Sequence, residues 1–208
     1  MRKRAHAGAG AAAATGWARL GVGAALLAWP LLIGARAFLT GQNLAVGDGR
    51  NYMLGMKVFS AQVWRSGHVP LWNPLVYAGF PQLGALQAGD LYAPGILPFL
   101  WLAPGAAYDV VLYVHLAGTG LLAYGLGREV GLGRSGGLAA GLLWAGSGWL
   151  WGQVGHLNVL TAAAWLPGIL WAAERLLRWP EGAVPQGRDR RGAGGWRLAA
   201  RAVALGTA

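Results

Sequence analysis

The chain has 208 residues, 55% of them hydrophobic and only 12% charged, and the charges cluster between apolar runs instead of alternating with them. That is an integral membrane composition and argues against a soluble helical bundle, whose helices need polar faces that these segments lack. The formal charge of +10 lies mostly at the ends of apolar spans, so topology accounts for it better than a nucleic-acid partner, and with no cysteine there is no disulfide framework or thiolate metal site.

The opening MRKRAHAGAGAAAATG, residues 1–16, reads as a disordered basic cytoplasmic tail, because the apolar run behind it is longer than a signal core. A first span is predicted from Trp17 to Leu39, interrupted by Pro30, with Arg19 and Arg36 snorkelling toward opposite interfaces. From Gln42 to Gly67, Tyr52, Met56, Phe59 and Val63 recur on one helical side while Lys57 and Arg65 fall elsewhere around it, which predicts an amphipathic helix lying on the membrane surface. The stretch Pro70 to Pro98 is dense in Pro, Gly and aromatic residues. Pro fixes backbone angles and Gly permits unusual ones, so Trp72, Asn73, Pro74, Gly79, Pro81, Gly89 and Pro94 predict a shaped connection able to hold a site.

Tyr92 to Pro104 is apolar but short and Pro-broken, the pattern of a re-entrant or interfacial segment. Second, third and fourth spans are predicted at Ala106 to Leu126, Ser135 to Gln153 and Leu157 to Leu177, with Gly137, Gly141, Gly148 and Gly152 letting another helix approach the third. Arg2, Lys3, Arg4, Arg19, Arg128, Arg134 and the arginines between Arg175 and Arg201 mark cytoplasmic segments, so the loop 40–105 and the His156 turn face outward. The expected fold class is all-α: a polytopic transmembrane helical bundle of about four spans, plus the interfacial helix and the re-entrant segment. Residues 17–179 form this domain, 180–197 a cytoplasmic Arg-rich loop, and 198–208 the start of a truncated further span, as in the amino-terminal part of something larger.

Asp48, in GDGRNY, sits about nine residues beyond the first span, where a carboxylate can act as general base or cation ligand and Arg50 can hold a phosphate oxygen; Gly-Asp-Gly is also ordinary turn chemistry. Asp90, in AGDLY, can share that site or cap the helix after it. His156 lies on the same side and can contact an anionic head group or an acceptor hydroxyl. Asp109 and His115 fall in or near the second span, His115 deeper and suited to a neutral, hydrogen-bonded packing role. Trp72, Asn73, Tyr77, Gln82 and Gln87 supply aromatic faces and amides of the kind that line sugar clefts or plug an interface.

The order of features, from the first-loop acid through PLWNP with a following GFP, LQAGDLYAP and HLAG to GHLN with AAWLP, resembles the YfhO-like bacterial membrane proteins of the GT-C glycosyltransferase superfamily, over about Asp48 to Trp171. The resemblance implies an enzyme that moves a sugar from a polyprenyl-phosphate carrier to a cell-envelope polymer or glycolipid acceptor on the outer face, with membrane lipid as surroundings. It implies Asp48 and, less directly, Asp90 as catalytic acids, and a divalent cation, magnesium or manganese, held in part by Asp48. An isolated fragment would then lack acceptor recognition and activity. A lipid or polymer transporter and a non-catalytic scaffold are the alternatives; broken apolar segments are also transporter features.

Overall fold

The computed structural model describes residues 20–178 of the chain. The predicted tail at 1–16, the start of the first span, the Arg-rich loop at 180–197 and the run at 198–208 lie outside the described residues. Those described form helices joined by turns, with a single isolated β-bridge between Asn73 and Phe80.

Helix α1, Leu20–Ile33, carries Pro30 within it and breaks instead at Gly34, after which α2 covers Ala35–Leu39. The surface helix predicted from Gln42 begins later. A single π turn, Gly49–Met53, leads directly into α3, Leu54–Arg65. The face of α3 also differs from expectation: Met56, Lys57, Ser60 and Ala61 are its buried residues, while Phe59 and Val63 are only half-buried. The folded loop that follows covers the side bearing Lys57. At its far end, Arg65 donates to the carbonyls of Phe99 (2.7 Å) and Leu100 (2.8 Å), capping α4.

Helix α4, Ala93–Trp101, has nine residues and opens on Pro94, as does α5, Pro104–Glu129, on Pro104; proline suits a first turn, where its missing N–H has no partner to lose. At about 1.5 Å per residue α4 reaches about 14 Å, too short to cross a bilayer. Helix α5 has 26 residues and is the one helix among the described residues both long and apolar enough to span a membrane. The third and fourth predicted spans are each broken in two. Helices α6, Arg134–Ala145, and α7, Gly148–Gly152, are separated at Gly146 and Ser147, whose hydroxyl accepts from Leu150 N–H as an N-cap. Helices α8, Leu157–Ala163, and α9, Leu166–Leu177, part at Ala164 and Trp165, where Pro167 has no N–H to donate to the Ala163 carbonyl four residues back.

Helix α5 is the hub, packing most extensively on α6 and α9. Its contact with α6 rests on glycine: a Cβ on Gly141 would lie 2.6 Å from Gly120 O, and one on Gly137 3.1 Å from Tyr124 and Arg128 side chains. Gly148 and Gly152, expected to pack in the same way, face open space. Side-chain donors tie the helices together, Trp29 Nε1 to Leu142 O (3.0 Å), Tyr113 Oη to Leu27 O (2.9 Å) and Trp144 Nε1 to Thr119 Oγ1 (2.8 Å), while the buried Trp64 Nε1 has no partner.

The two ends of α5 differ in chemistry. At the carboxyl-terminal end, Glu129 accepts from Trp171 Nε1 (3.0 Å) and pairs with Arg175 (3.7 Å), while Arg178 donates to the Glu129 carbonyl, so the arginine-bearing ends of α5 and α9 come together. At the amino-terminal end, Asp109 accepts from Leu44 N–H (2.7 Å), tying the segment before Asp48 to the bundle.

Candidate functional site

The segment around Val46 to Gly49 crosses the turn at 154–156 with almost no side-chain atoms between the two backbones. A Cβ on Gly155 would lie 2.9 Å from Val46 O, and a Cβ on Gly49 would collide with the Tyr108 hydroxyl. That hydroxyl donates to Val154 O (2.7 Å), so a buried residue of α5 fixes the turn while glycine lets the loop lie on it. This crossing brings Asp48 Oδ2 to 3.6 Å from His156 Nε2, an ion-pair distance but longer than a hydrogen bond. Both side chains are exposed, at 73% and 51%. His156 directly precedes α8, whose first turn supplies Leu157 and Asn158 to the wall of a cavity. Arg50 is exposed and forms no ion pair with Asp48.

The cavity has a volume of about 310 Å³ and lies between α3, the segment Leu86 to Gly95, and the α8 to α9 break. Its walls are largely apolar, with Lys57, Gln87, Tyr92, Asn158 and Thr161 as the polar groups and Trp165 as an aromatic face. Tyr52 Oη donates to Gln87 Oε1 (3.0 Å), linking the π turn next to Asp48 with the cavity wall. Tyr92 is held from both sides: its hydroxyl accepts from Trp165 Nε1 (2.7 Å) and meets His115 Nε2 (2.6 Å), while His115 Nδ1 lies 2.7 Å from Val111 O. A proton on Nδ1 satisfies every member of this chain and leaves the ring neutral, the packing role anticipated for His115.

Lys57 and Asp90 lie beside this chain, each only 4% exposed. Glycines make the space: Lys57 Nζ is 3.3 Å from where a Cβ on Gly95 would stand and 3.6 Å from one on Gly89, which has φ +61°. Burial pulls the Lys57 ammonium down to about 8, with the negative charge of Asp90 pulling the other way. Burial likewise pushes the Asp90 carboxyl up, against the influence of Ser60, Lys57 and Gln82. Both Asp90 oxygens are buried with no hydrogen bond of normal geometry, and no ion pair within 4.0 Å joins Asp90 to Lys57.

The remaining expected site residues divide by burial. Asn73 and Gln82 are almost wholly buried and bond to each other (3.1 Å); Gln82 also donates to Ser60 Oγ (2.7 Å) and Met56 O (3.2 Å), and Asn73 Oδ1 accepts from Leu75 N–H. Their amides are occupied in fastening the loop to α3 and do not line the cavity. Trp72 and Tyr77 point outward, at 58% and 76% exposed, Trp72 lying across Gly79 and Tyr77 tilted against Phe80. Of the expected set, Gln87 lines the cavity and Asp48 and His156 form its neighbouring pair. Asp90 shares the loop with Asp48, yet it is a buried neighbour of Lys57.

Among the described residues no group of three or more His, Asp or Glu side chains comes together. Asp48 offers one carboxylate and His156 a nitrogen, whereas a hard cation such as magnesium takes oxygen donors in an octahedral set. Among the described residues, Asp48 and His156 alone do not make up such a set.

Sequence reasoning missed Tyr92, Asn158, Thr161 and Trp165 as cavity residues, and it missed Lys57. Its signal is present as Ser60 and Ala61 three and four positions on: small side chains on the lysine's own face mark a surface on which another segment lies closely. Compared with protein-family models, curated proteins and solved structures, the chain matches none.

Proposed function

We propose that this chain is a multi-pass membrane domain that transfers a sugar from a polyprenyl-phosphate carrier to an acceptor hydroxyl at the outer face. The observation that carries the reading is the Asp48 and His156 pair, drawn together from segments far apart in the chain, with His156 next in sequence to Leu157 and Asn158 of the cavity wall. It stands toward the end of α5 opposite the Glu129, Arg175 and Arg178 cluster, as expected if the arginines face the cytoplasm. Helices α6 with α7 and α8 with α9 each cover a stretch about long enough to cross once, in two pieces. Exposed Leu20, Leu32, Val114, Leu143, Ile169 and Leu170 give the bundle apolar outer faces suited to lipid.

In the proposed step, Asp48 takes the proton of the acceptor hydroxyl as its oxygen forms the new bond to the anomeric carbon. The bond from that carbon to the phosphate oxygen breaks, polyprenyl phosphate departs, and the anomeric configuration inverts. His156 orients the Asp48 carboxylate. Membranes bearing the wild-type protein or Asp48→Asn are assayed for transfer of labelled sugar from a polyprenyl-phosphate donor. A positioned base contributes roughly 100-fold to 10,000-fold, so the variant should lose at least 100-fold at equal expression. Transfer at the wild-type rate would reject the role of Asp48.

The two broken helices favour a second reading, a transporter for a lipid-linked sugar or polymer, because discontinuous helices frame substrate sites in transporters. Lipid flux in proteoliposomes without any sugar transfer would select that reading.

A further inference from the structure

We propose that the 310 Å³ cavity binds a glycosyl phosphate group, with Lys57 Nζ facing the phosphate and the Trp165 ring, Gln87 and Asn158 facing the sugar. The ligand class rests on the transfer reading above, whereas the site itself rests on geometry. Lys57 is 4% exposed and opens onto the cavity, and among the described residues its ammonium has no ion-pair partner within 4.0 Å. Buried cations in stable folds are paired, because removing an ammonium from water without a counter-charge is costly. Asp90 is the near anion, but it stands beyond ion-pair distance of Lys57, and burial works against its charged form. A phosphate supplies the counter-charge.

The rest of the cavity matches such a group. The volume lies at the small end of ligand pockets, enough for a head group and too little for the lipid tail. Trp165 presents a fixed face because its indole N–H is held by Tyr92, itself held by His115. Gln87 and Asn158 provide donors and acceptors at the wall. Gly89 and Gly95 keep the approach to Nζ clear, since a side chain at either position would stand in van der Waals contact with the ammonium or closer.

Equilibrium binding of two probes is measured on wild type, Lys57→Met and Lys57→Arg in micelles: polyprenyl monophosphate, and inorganic phosphate for a soluble source. A hydrogen bond to a charged group is worth about 1.5–3 kcal/mol, so Lys57→Met should weaken binding by roughly 10-fold to 100-fold and Lys57→Arg by less. Polyprenyl monophosphate bound alone assigns the site to a lipid head group; inorganic phosphate bound equally well assigns it to a soluble sugar phosphate. Binding of neither probe, or binding unchanged in Lys57→Met, overturns the proposal. Should Lys57→Met fail to fold, wild-type acylation decides: the chain has two lysines, and phosphate should protect Lys57 at least 10-fold with Lys3 as the unprotected reference. Equal acylation of Lys57 with and without probe overturns the site. The two readings fail separately: Asp48→Asn that abolishes transfer beside unaltered Lys57→Met binding rejects the cavity site only, and the converse rejects the chemistry only.

Discussion

Asp48 and Asp90 belong to one loop and are housed in opposite ways. Asp48 stands in water, 73% exposed, with an imidazole 3.6 Å away. Asp90 is 4% exposed, with both oxygens unpaired and a buried lysine as its neighbour. A carboxylate in solvent is open to an incoming hydroxyl, while one withdrawn from solvent is pushed toward the neutral acid and serves to tune what lies beside it. Shared loop and shared residue type therefore do not make a shared role. The exposed acid suits chemistry, and the buried acid with Lys57 suits binding.

The largest stability effect should come from the buried side of this contrast. Folding favours the neutral Lys57 amine, so between pH 8 and 10.5 the unfolded chain holds a proton that the folded chain has released, and stability rises with pH. Below pH 8 both forms are charged and no further change follows. The gain is about 3 kcal/mol across that window at about 1.36 kcal/mol per pH unit, and thermal unfolding of wild type against Lys57→Met should show it in wild type alone. A pH profile identical in the two proteins would place Lys57 in water and end the contrast.

Gly49→Ala probes what holds the crossing together. Its methyl group would meet the Tyr108 hydroxyl, break the bond to Val154 O and lift the Asp48 segment off the 154–156 turn. Overpacking of this kind costs roughly 1–3 kcal/mol, and transfer activity should fall with it. Unaltered stability and activity would mean that the crossing does not position Asp48. The smallest effect belongs to the exposed pair itself. A double-mutant cycle on Asp48→Asn and His156→Gln should give a coupling in stability below about 0.5 kcal/mol, because solvent screens exposed ion pairs. A coupling above 2 kcal/mol would show the pair to be structural.

Much of this architecture was legible in the residues. The long apolar run of α5, the shaped Pro and Gly loop, the short segment at 93–101 and the glycine contacts at 137 and 141 all follow from local chemistry. The breaks at Ser147 and Trp165 were missed because the apolar pattern runs through them, although Gly146 and Pro167 supply the reason. The burial of Lys57 was misread for a different cause. Periodicity assigns a lysine to the wet side of α3, but the loop pinned by Asn73 and Gln82 folds over that side, a tertiary event whose only local mark is the small Ser60 and Ala61 on the lysine's face. His156 and Asp48 were expected on one side of the membrane, and their contact depends on two glycines whose close approach only the fold displays.

The claim beneath the whole account is sidedness: the Asp48 loop outside, the arginine end of α5 within. Because the chain has no cysteine, single replacements at exposed Asn51 and at exposed Leu132 can be labelled in intact cells with a membrane-impermeant maleimide. The account predicts labelling of Asn51→Cys without lysis and of Leu132→Cys only after it; the reverse pattern would put the proposed base in the cytosol and contradict the account.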